Sequence, residues 1–297
     1  MKVIPVPSSL DDRSLDQFAA SLGDWPPDTR LLLDARATTW ASPFGFTALL
    51  SLGEALAEAG AEKPRFAVPA QDDVRSYWAR AGFFQHAATC FELHGKVPRR
   101  SADVASDVLL PVMPVRASGD VHAVVNRIQE GAARILTHEL GIPTKATMRF
   151  AMTLSEACQN VVEHAGTGGW VAVQAYTWRK RLGKRVVVIA VSDGGIGFRR
   201  SLEATESRRH GERWNDRVAL ESALIHGVSR FRDPGRGQGL GAIKHFLKDW
   251  NGKISIRSGT ARLSILPAWD DDVPMAEGLP FFPGSQVQIV VPAQEGT

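Results

Sequence analysis

Val186-Val187-Val188-Ile189-Ala190-Val191-Ser192-Asp193-Gly194-Gly195-Ile196-Gly197 is the stretch on which the fold turns. Six consecutive apolar residues, most of them β-branched, read as a buried strand. Its end delivers a carboxylate, Asp193, directly into a glycine-rich turn. Gly195 and Gly197 lack Cβ, so the backbone there can approach a flat ring and adopt positive φ. An ordinary Asp-Gly turn after a strand has the same outline, so the run takes its meaning from its neighbours.

Upstream lies Glu156-Ala157-Cys158-Gln159-Asn160-Val161-Val162-Glu163-His164, inside a helix expected over 144–164 and stopped by Gly166-Thr167-Gly168-Gly169. Glu156 and Asn160 are four apart, so on a helix their Cβ atoms emerge together, about 5–6 Å apart. The carboxylate can take a proton from an attacking hydroxyl or water. The amide oxygen is a hard neutral ligand suited to a Mg²⁺ that bridges phosphates. A solvated helix face would carry the same pair. Downstream, Gly235-Arg236-Gly237-Gln238-Gly239-Leu240-Gly241 runs into a helix expected over 240–250. Alternate glycines free backbone amides to face an anion, and the helix N-terminus adds partial positive charge. The loose dinucleotide fingerprint within this run is rejected, because Arg230-Phe231-Arg232-Asp233-Pro234 before it is no strand. Asp193 itself can accept a hydrogen bond from an exocyclic amine such as that of adenine.

The rest of the chain frames these segments. Its 297 residues suit two domains, and 44% hydrophobic with 23% charged residues is a globular balance. No apolar stretch is long enough to span a bilayer. Met1-Lys2-Val3-Ile4-Pro5 has no secretory pattern, and the two distant cysteines, Cys90 and Cys158, read as reduced thiols. A cytoplasmic location is therefore expected. A net charge of +3 gives little indication of nucleic acid. In the first hundred residues, strands at 31–35 and 65–68 alternate with helices at 46–59 and 72–81, which implies a sheet with packed helices. A linker or entering strand is expected over 96–119, then a helix from Ser118 or Asp120 whose stripe is Val121, Val124, Val125, Ile128, Ile135 and Leu136. Strands are expected at 170–177, 185–192, 253–257, 261–266 and 286–291.

Helical Glu-x-x-x-Asn, strand-borne Asp-x-Gly-x-Gly, a variable polar stretch and a glycine-rich loop entering a helix occur in the order of the gyrase, chaperone, histidine-kinase and MutL (GHKL) ATP-binding module. The chain resembles that superfamily over residues 120–292. Within it, Leu154 to His164 and Pro283-Gly284-Ser285 are most similar to the anti-sigma-factor serine kinases. The resemblance implies ATP and Mg²⁺ as cofactors. It makes Glu156 the general base, Asn160 the Mg²⁺ ligand and Asp193 the adenine contact, with Gly195 and Gly197 walling the pocket. Arg236, Gly237, Gly239, Leu240 and Gly241 would cradle phosphates, and residues 198–234, rich in arginine, would form the ATP lid. His122 and His138 lack a phosphoacceptor context, and no domain supplying a catalytic Lys is seen, so neither histidine autokinase activity nor strong hydrolysis is expected.

Leu31-Leu32-Leu33-Asp34, Trp40-Ala41-Ser42-Pro43-Phe44-Gly45 and Tyr77-Trp78-Ala79-Arg80-Ala81-Gly82-Phe83 resemble a STAS domain, the fold of anti-sigma-factor antagonists. Ser42 falls where such antagonists carry a phosphorylatable serine, but it reads here as a helix N-cap. Together the resemblances imply an α+β/α/β chain. A STAS-like α/β regulatory domain occupies residues 1–105. A two-layer α/β sandwich of the GHKL type, a mixed sheet with helices on one face, occupies residues 106–297. Three functions follow. The first is transfer of the ATP γ-phosphoryl group to a partner protein, such as a sigma factor or a STAS-type antagonist. The second is a nucleotide-gated interaction switch with little hydrolysis. The third is a slow ATPase that forms a homodimer through its lid.

Overall fold

A computed structural model describes residues 1–98, 109–116, 126, 136–137, 140–143, 155, 158, 165–178, 182–228 and 239–293. The N-terminal strands are β1 (Lys2–Pro5), β2 (Ser9–Leu10), β3 (Leu31–Asp34), β4 (Trp40–Ala41), β5 (Arg65–Ala67) and β6 (Glu92–His94). They alternate with helices α1 (Leu15–Leu22), α2 (Pro43–Glu58), α3 (Asp72–Arg80) and α4 (Phe83–Cys90). Four strands pair in the order β1-β3-β5-β6, every pair parallel. Each crossover is helical, as parallel pairing requires. The expected strands and helices of this unit are present; β1, β2, β4, β6, α1 and α4 are additional.

Leu109–Val115 forms β7, so the stretch 96–119, expected to hold a linker or an entering strand, supplies a strand, and it belongs to the second sheet. With β8 (Gly169–Thr177), β9 (Arg185–Asp193), β10 (Lys253–Gly259), β11 (Ala261–Ile265), β12 (Met275–Ala276) and β13 (Phe282–Pro292), it completes a seven-stranded sheet of order β12-β11-β10-β13-β9-β8-β7. Helices of this half that lie within the described residues include α5 (Gly197–His210), α6 (Asp216–Leu224) and α7 (Gly239–Asp249).

Two expectations are corrected. Every neighbouring pair in the large sheet is antiparallel, so the sheet is not mixed. The tight link β10–β11 folds the chain straight back, β8 and β9 pair as sequence neighbours, and β13 enters between β10 and β9 in the opposite direction to both. Nor is only one face covered. Strand alternation sends Val187, Ile189 and Val191 into a cluster with Leu136, Leu140, Cys158, Leu220, Ile243 and Leu247, the helical layer. The opposite face puts Trp170, Ala172, Ala190 and Phe282 into the core of the N-terminal unit. The unbroken apolar run of β9 is the mark of a strand covered on both sides.

Helix α2 is the shared element. Ser42 caps it, its Oγ accepting from Gly45 N at 3.1 Å, and Ser42 is 1% exposed. All of α2 except Glu54, Ala57 and Glu58 is buried, because one side packs on β8, β9 and β13 and the rest meets α4 and shares a core with the parallel sheet. Polar contacts fix its seat. Thr47 Oγ1 and Ser192 Oγ are 2.8 Å apart, and Trp170 Nε1 donates to Glu54 Oε2 at 2.8 Å. Beyond α2 the contact between the units becomes ionic. Lys253 is fully buried, with Nζ 2.8 Å from Asp12, 3.2 Å from Asp270 and 3.5 Å from Asp272. Arg257 Nε donates to Asp16 at 2.9 Å. Among the described residues no helix is long and apolar enough to cross a membrane.

Three carboxylates converge on Lys253, so Lys253→Met leaves them without their shared cation. It should lower unfolding stability by about 3–5 kcal/mol, measured by urea denaturation. An unchanged midpoint would show that the ionic seam does not hold the two units together.

Candidate functional site

The turn after β9 is built from both layers at once. Asp193 is the last residue of β9 and pairs in register with Gly169 of β8 and Ser285 of β13. The Pro283-Gly284-Ser285 run, expected ahead of the last strand, lies inside β13 and directly beside the acid. Alternation along β9 sends Ser192 toward α2 and Asp193 toward the helical layer. Asp193 is 4% exposed, and its Oδ1 accepts from Gly195 N at 2.9 Å. The Ser285 backbone also bonds this carboxyl. Burial outweighs these bonds and pushes its pKa up to about 7.

The glycines of this turn answer to their neighbours. A Cβ on Gly195 would sit 2.1 Å from the Ala165 carbonyl oxygen, at the end of the segment that carries Cys158. Backbone packing therefore requires this glycine, whatever ring lies nearby. Gly197 has the positive φ expected of it, 71°, and opens α5. Ser258 pins that start: its Oγ accepts from Phe198 N at 3.0 Å and lies 3.1 Å from Gly284 O. Nothing local in the sequence marks Ser258, because its partners are 60 and 26 residues away.

Of the other expected site residues, Gly239, Leu240 and Gly241 form the first turn of α7. Ile243 and Leu247 anchor α7 on the sheet face that Asp193 occupies. Cys158 and Ala165, from the Glu-x-x-x-Asn segment and its end, pack into the same cluster. Glu156, Asn160, Arg236 and Gly237 lie outside the described residues.

The polar stretch expected to form the lid is helical over most of its described length. Residues 197–224 form α5 and α6, which pack on each other through Leu202, Trp214, Ala219 and Ala223. Asn215 caps α6 by accepting from Val218 N at 2.9 Å, and Asp216 Oδ2 accepts from Thr260 N at 2.8 Å. These contacts fix the pair to the β10–β11 hairpin as framework. Arg199, Arg200, Arg208, Arg209, Arg213 and Arg217 are exposed on it. Arg217 pairs with Glu221 at 3.1 Å and Arg209 with Glu206 at 3.3 Å, the pattern of a solvated charged face. Arg230 and Arg232 lie outside the described residues. Both cysteines are free and buried, and burial pushes the Cys158 thiol up to about 12, so it carries no nucleophile.

The acid at the centre has a pH signature. Unfolded, Asp193 releases its proton near 3.8; folded, near 7, so the native state holds the extra proton in between. Stability from this group is complete below pH 3.8 and is lost as pH rises through 7, a change on the order of 4 kcal/mol. Asp193→Asn keeps an oxygen for Gly195 N and cannot ionise. In chemical denaturation it should gain on wild type from pH 4 to pH 7 and level off above that; parallel curves across this range would contradict the burial of an ionisable acid here.

A buried acceptor beside a glycine turn, with the first turn of a helix on the same sheet face, is the layout of a nucleotide site. No curated protein matches the chain. The family model of the histidine kinase-, DNA gyrase B-, and HSP90-like ATPases matches residues 146–294, a span that begins before the Glu-x-x-x-Asn segment and ends after β13. The chain therefore belongs to this family of ATP-binding domains.

Proposed function

We propose that the chain is a Mg-ATP-binding regulatory protein in which the N-terminal unit reads the state of the nucleotide site. One observation carries the proposal. The turn that follows Asp193 is held between two backbones: a Cβ on Gly194 would sit 2.5 Å from Ser51 O of α2, and one on Gly195 2.1 Å from Ala165 O. A shift of this turn on nucleotide binding must move α2, the segment ending at Ala165, or both. That is the steric basis of a nucleotide-gated switch.

The residues at the adenine end suit the ligand. Asp193 offers a buried acceptor for an exocyclic amine, and Gly195 and Gly197 let the chain turn closely around it. The Mg²⁺ of bound ATP would be held by Asn160, and the phosphates by Arg236, Gly237, Gly239, Leu240 and Gly241. The resemblance to the anti-sigma-factor kinases adds a further reading. In it Glu156 takes the proton of a serine or threonine hydroxyl, which then receives the γ-phosphoryl group; a positioned base contributes roughly 10²–10⁴-fold. The acceptor in that reading is a separate protein, of sigma-factor or STAS-antagonist type. The STAS-like unit of this chain, proposed over residues 1–105, is poorly placed as a substrate. Ser42 is 1% exposed, caps α2, and lies on the sheet face opposite to the one Asp193 addresses.

Mg-ATP titrated into the protein by calorimetry should bind saturably. Asp193→Asn turns an amide donor toward the adenine amine and should weaken binding by about ten- to a hundredfold, the value of a charge-assisted hydrogen bond. A protein that takes up no adenine nucleotide would end the proposal. Labelled ATP separates the two readings. Label on a partner's serine or threonine, lost with Glu156→Ala, supports phosphoryl transfer. Label confined to ATP and free phosphate leaves the switch alone.

A further inference from the structure

A second cavity lies on the other side of the large sheet, away from Asp193. Its volume is about 680 Å³, and it opens between the turn after β2, the β4–α2 corner and the far ends of β8 and β13. That is room for a small molecule. Its walls combine two chemistries. Trp40, Tyr176 and Trp178 form an aromatic corner: Trp40 stands edge-on to Tyr176 at 5.7 Å between centroids, and Tyr176 and Trp178 are 6.3 Å apart. Asp11 and Asp12 bring two carboxylates to the same cavity.

The polar groups are incompletely used. Asp11 Oδ1 accepts from the backbone of Arg13 and Ser14, both at 3.1 Å, and Oδ2 lies 3.4 Å from Ser9 Oγ. Burial and the like charge of Asp12 push the Asp11 carboxyl up, a cost that an added cation would relieve. Arg13, the cation on the rim, is engaged by Asp270 and Asp271. Lys253, the partner of Asp12, is shared with Asp270 and Asp272. Gln288 is 2% exposed and lines the cavity, yet its amide makes no hydrogen bond to any described residue. Its neighbour on the same face, Gln286, donates to Pro283 O at 2.8 Å. An amide on the wall of a cavity offers both a donor and an acceptor to what occupies it.

We propose that this cavity binds a compact organic cation, a guanidinium or a methylated ammonium. The charge would rest against Asp11, the faces or methyl groups against Trp40, Tyr176 and Trp178, and a polar atom against Gln288. Aromatic faces attract such ions because the ring quadrupole is negative above the plane, and desolvation strengthens the attraction. The N-terminus of α2 does not reverse the sign of the site, since Ser42 Oγ already accepts from its Gly45 N–H.

Calorimetry of the full chain with choline, with arginine ethyl ester, and with 3,3-dimethylbutanol as the neutral counterpart of choline tests the proposal. Saturable one-to-one binding of either cation is expected, with the neutral alcohol at least tenfold weaker. Asp11→Asn keeps the backbone acceptor and should lower cation affinity at least tenfold. Gln288→Leu should lower it several-fold, with circular dichroism and urea midpoint unchanged in both variants. The proposal falls if neither cation saturates, if the alcohol binds as well as choline, or if both folded variants bind like wild type.

Discussion

The steric contact of one turn with two backbones is the constraint on which the rest of this structure depends. Asp193-Gly194-Gly195 leaves β9 and passes so close to Ser51 O on one side and Ala165 O on the other that neither glycine has room for a methyl group. The acid is therefore placed jointly by the N-terminal unit and by the helical layer of the ATPase domain. Neither can retreat without opening a gap beside β9, whose residues Val186 to Val191 are at most 1% exposed. In an interior packed to crystal density, such a turn has a few discrete positions and no soft range between them.

The back of the large sheet explains how the N-terminal unit keeps its seat. Under α2 it is apolar, with Trp170, Ala172 and Ala190 in the same core as Phe46 and Leu50. Under α1 it is ionic, with Lys253, Arg257 and Arg262 facing Asp12 and Asp16. Apolar burial supplies the driving force, while buried charges tolerate no mispairing and so fix the register of the contact. The two sheets are joined through one core. The face that Asp193 addresses and the N-terminal unit are then separated by a single layer of strands.

Much of this was legible in the sequence, for identifiable reasons. The run from Val186 to Gly197 announced both the buried strand and its terminal acid, and the serine at 42 was read correctly as a cap because Pro43 follows it at the first helical position. The hairpin strands β10 and β11 and helix α7 followed from periodicity and from the Asn251-Gly252 stop. What failed was non-local. Helix α5 buries only Leu202 and Glu206, so its sequence reads as a polar stretch with no apolar stripe, although Ser258 and α6 hold it as a helix. The antiparallel sheet and its second cover depend on contacts such as Lys253 to Asp12, 241 residues apart. No window of local sequence contains such a pair. The amphipathic stripe read on α2 was real but half the story, since the opposite face is buried as well.

The central claim is that nucleotide at Asp193 is felt by α2. Amide hydrogen exchange over residues 43–58, with and without Mg-ATP, tests it most directly. Slower exchange in the last two turns of α2 on addition of nucleotide is the result this account predicts. Identical exchange in the two states, under conditions where calorimetry shows the nucleotide bound, would contradict it.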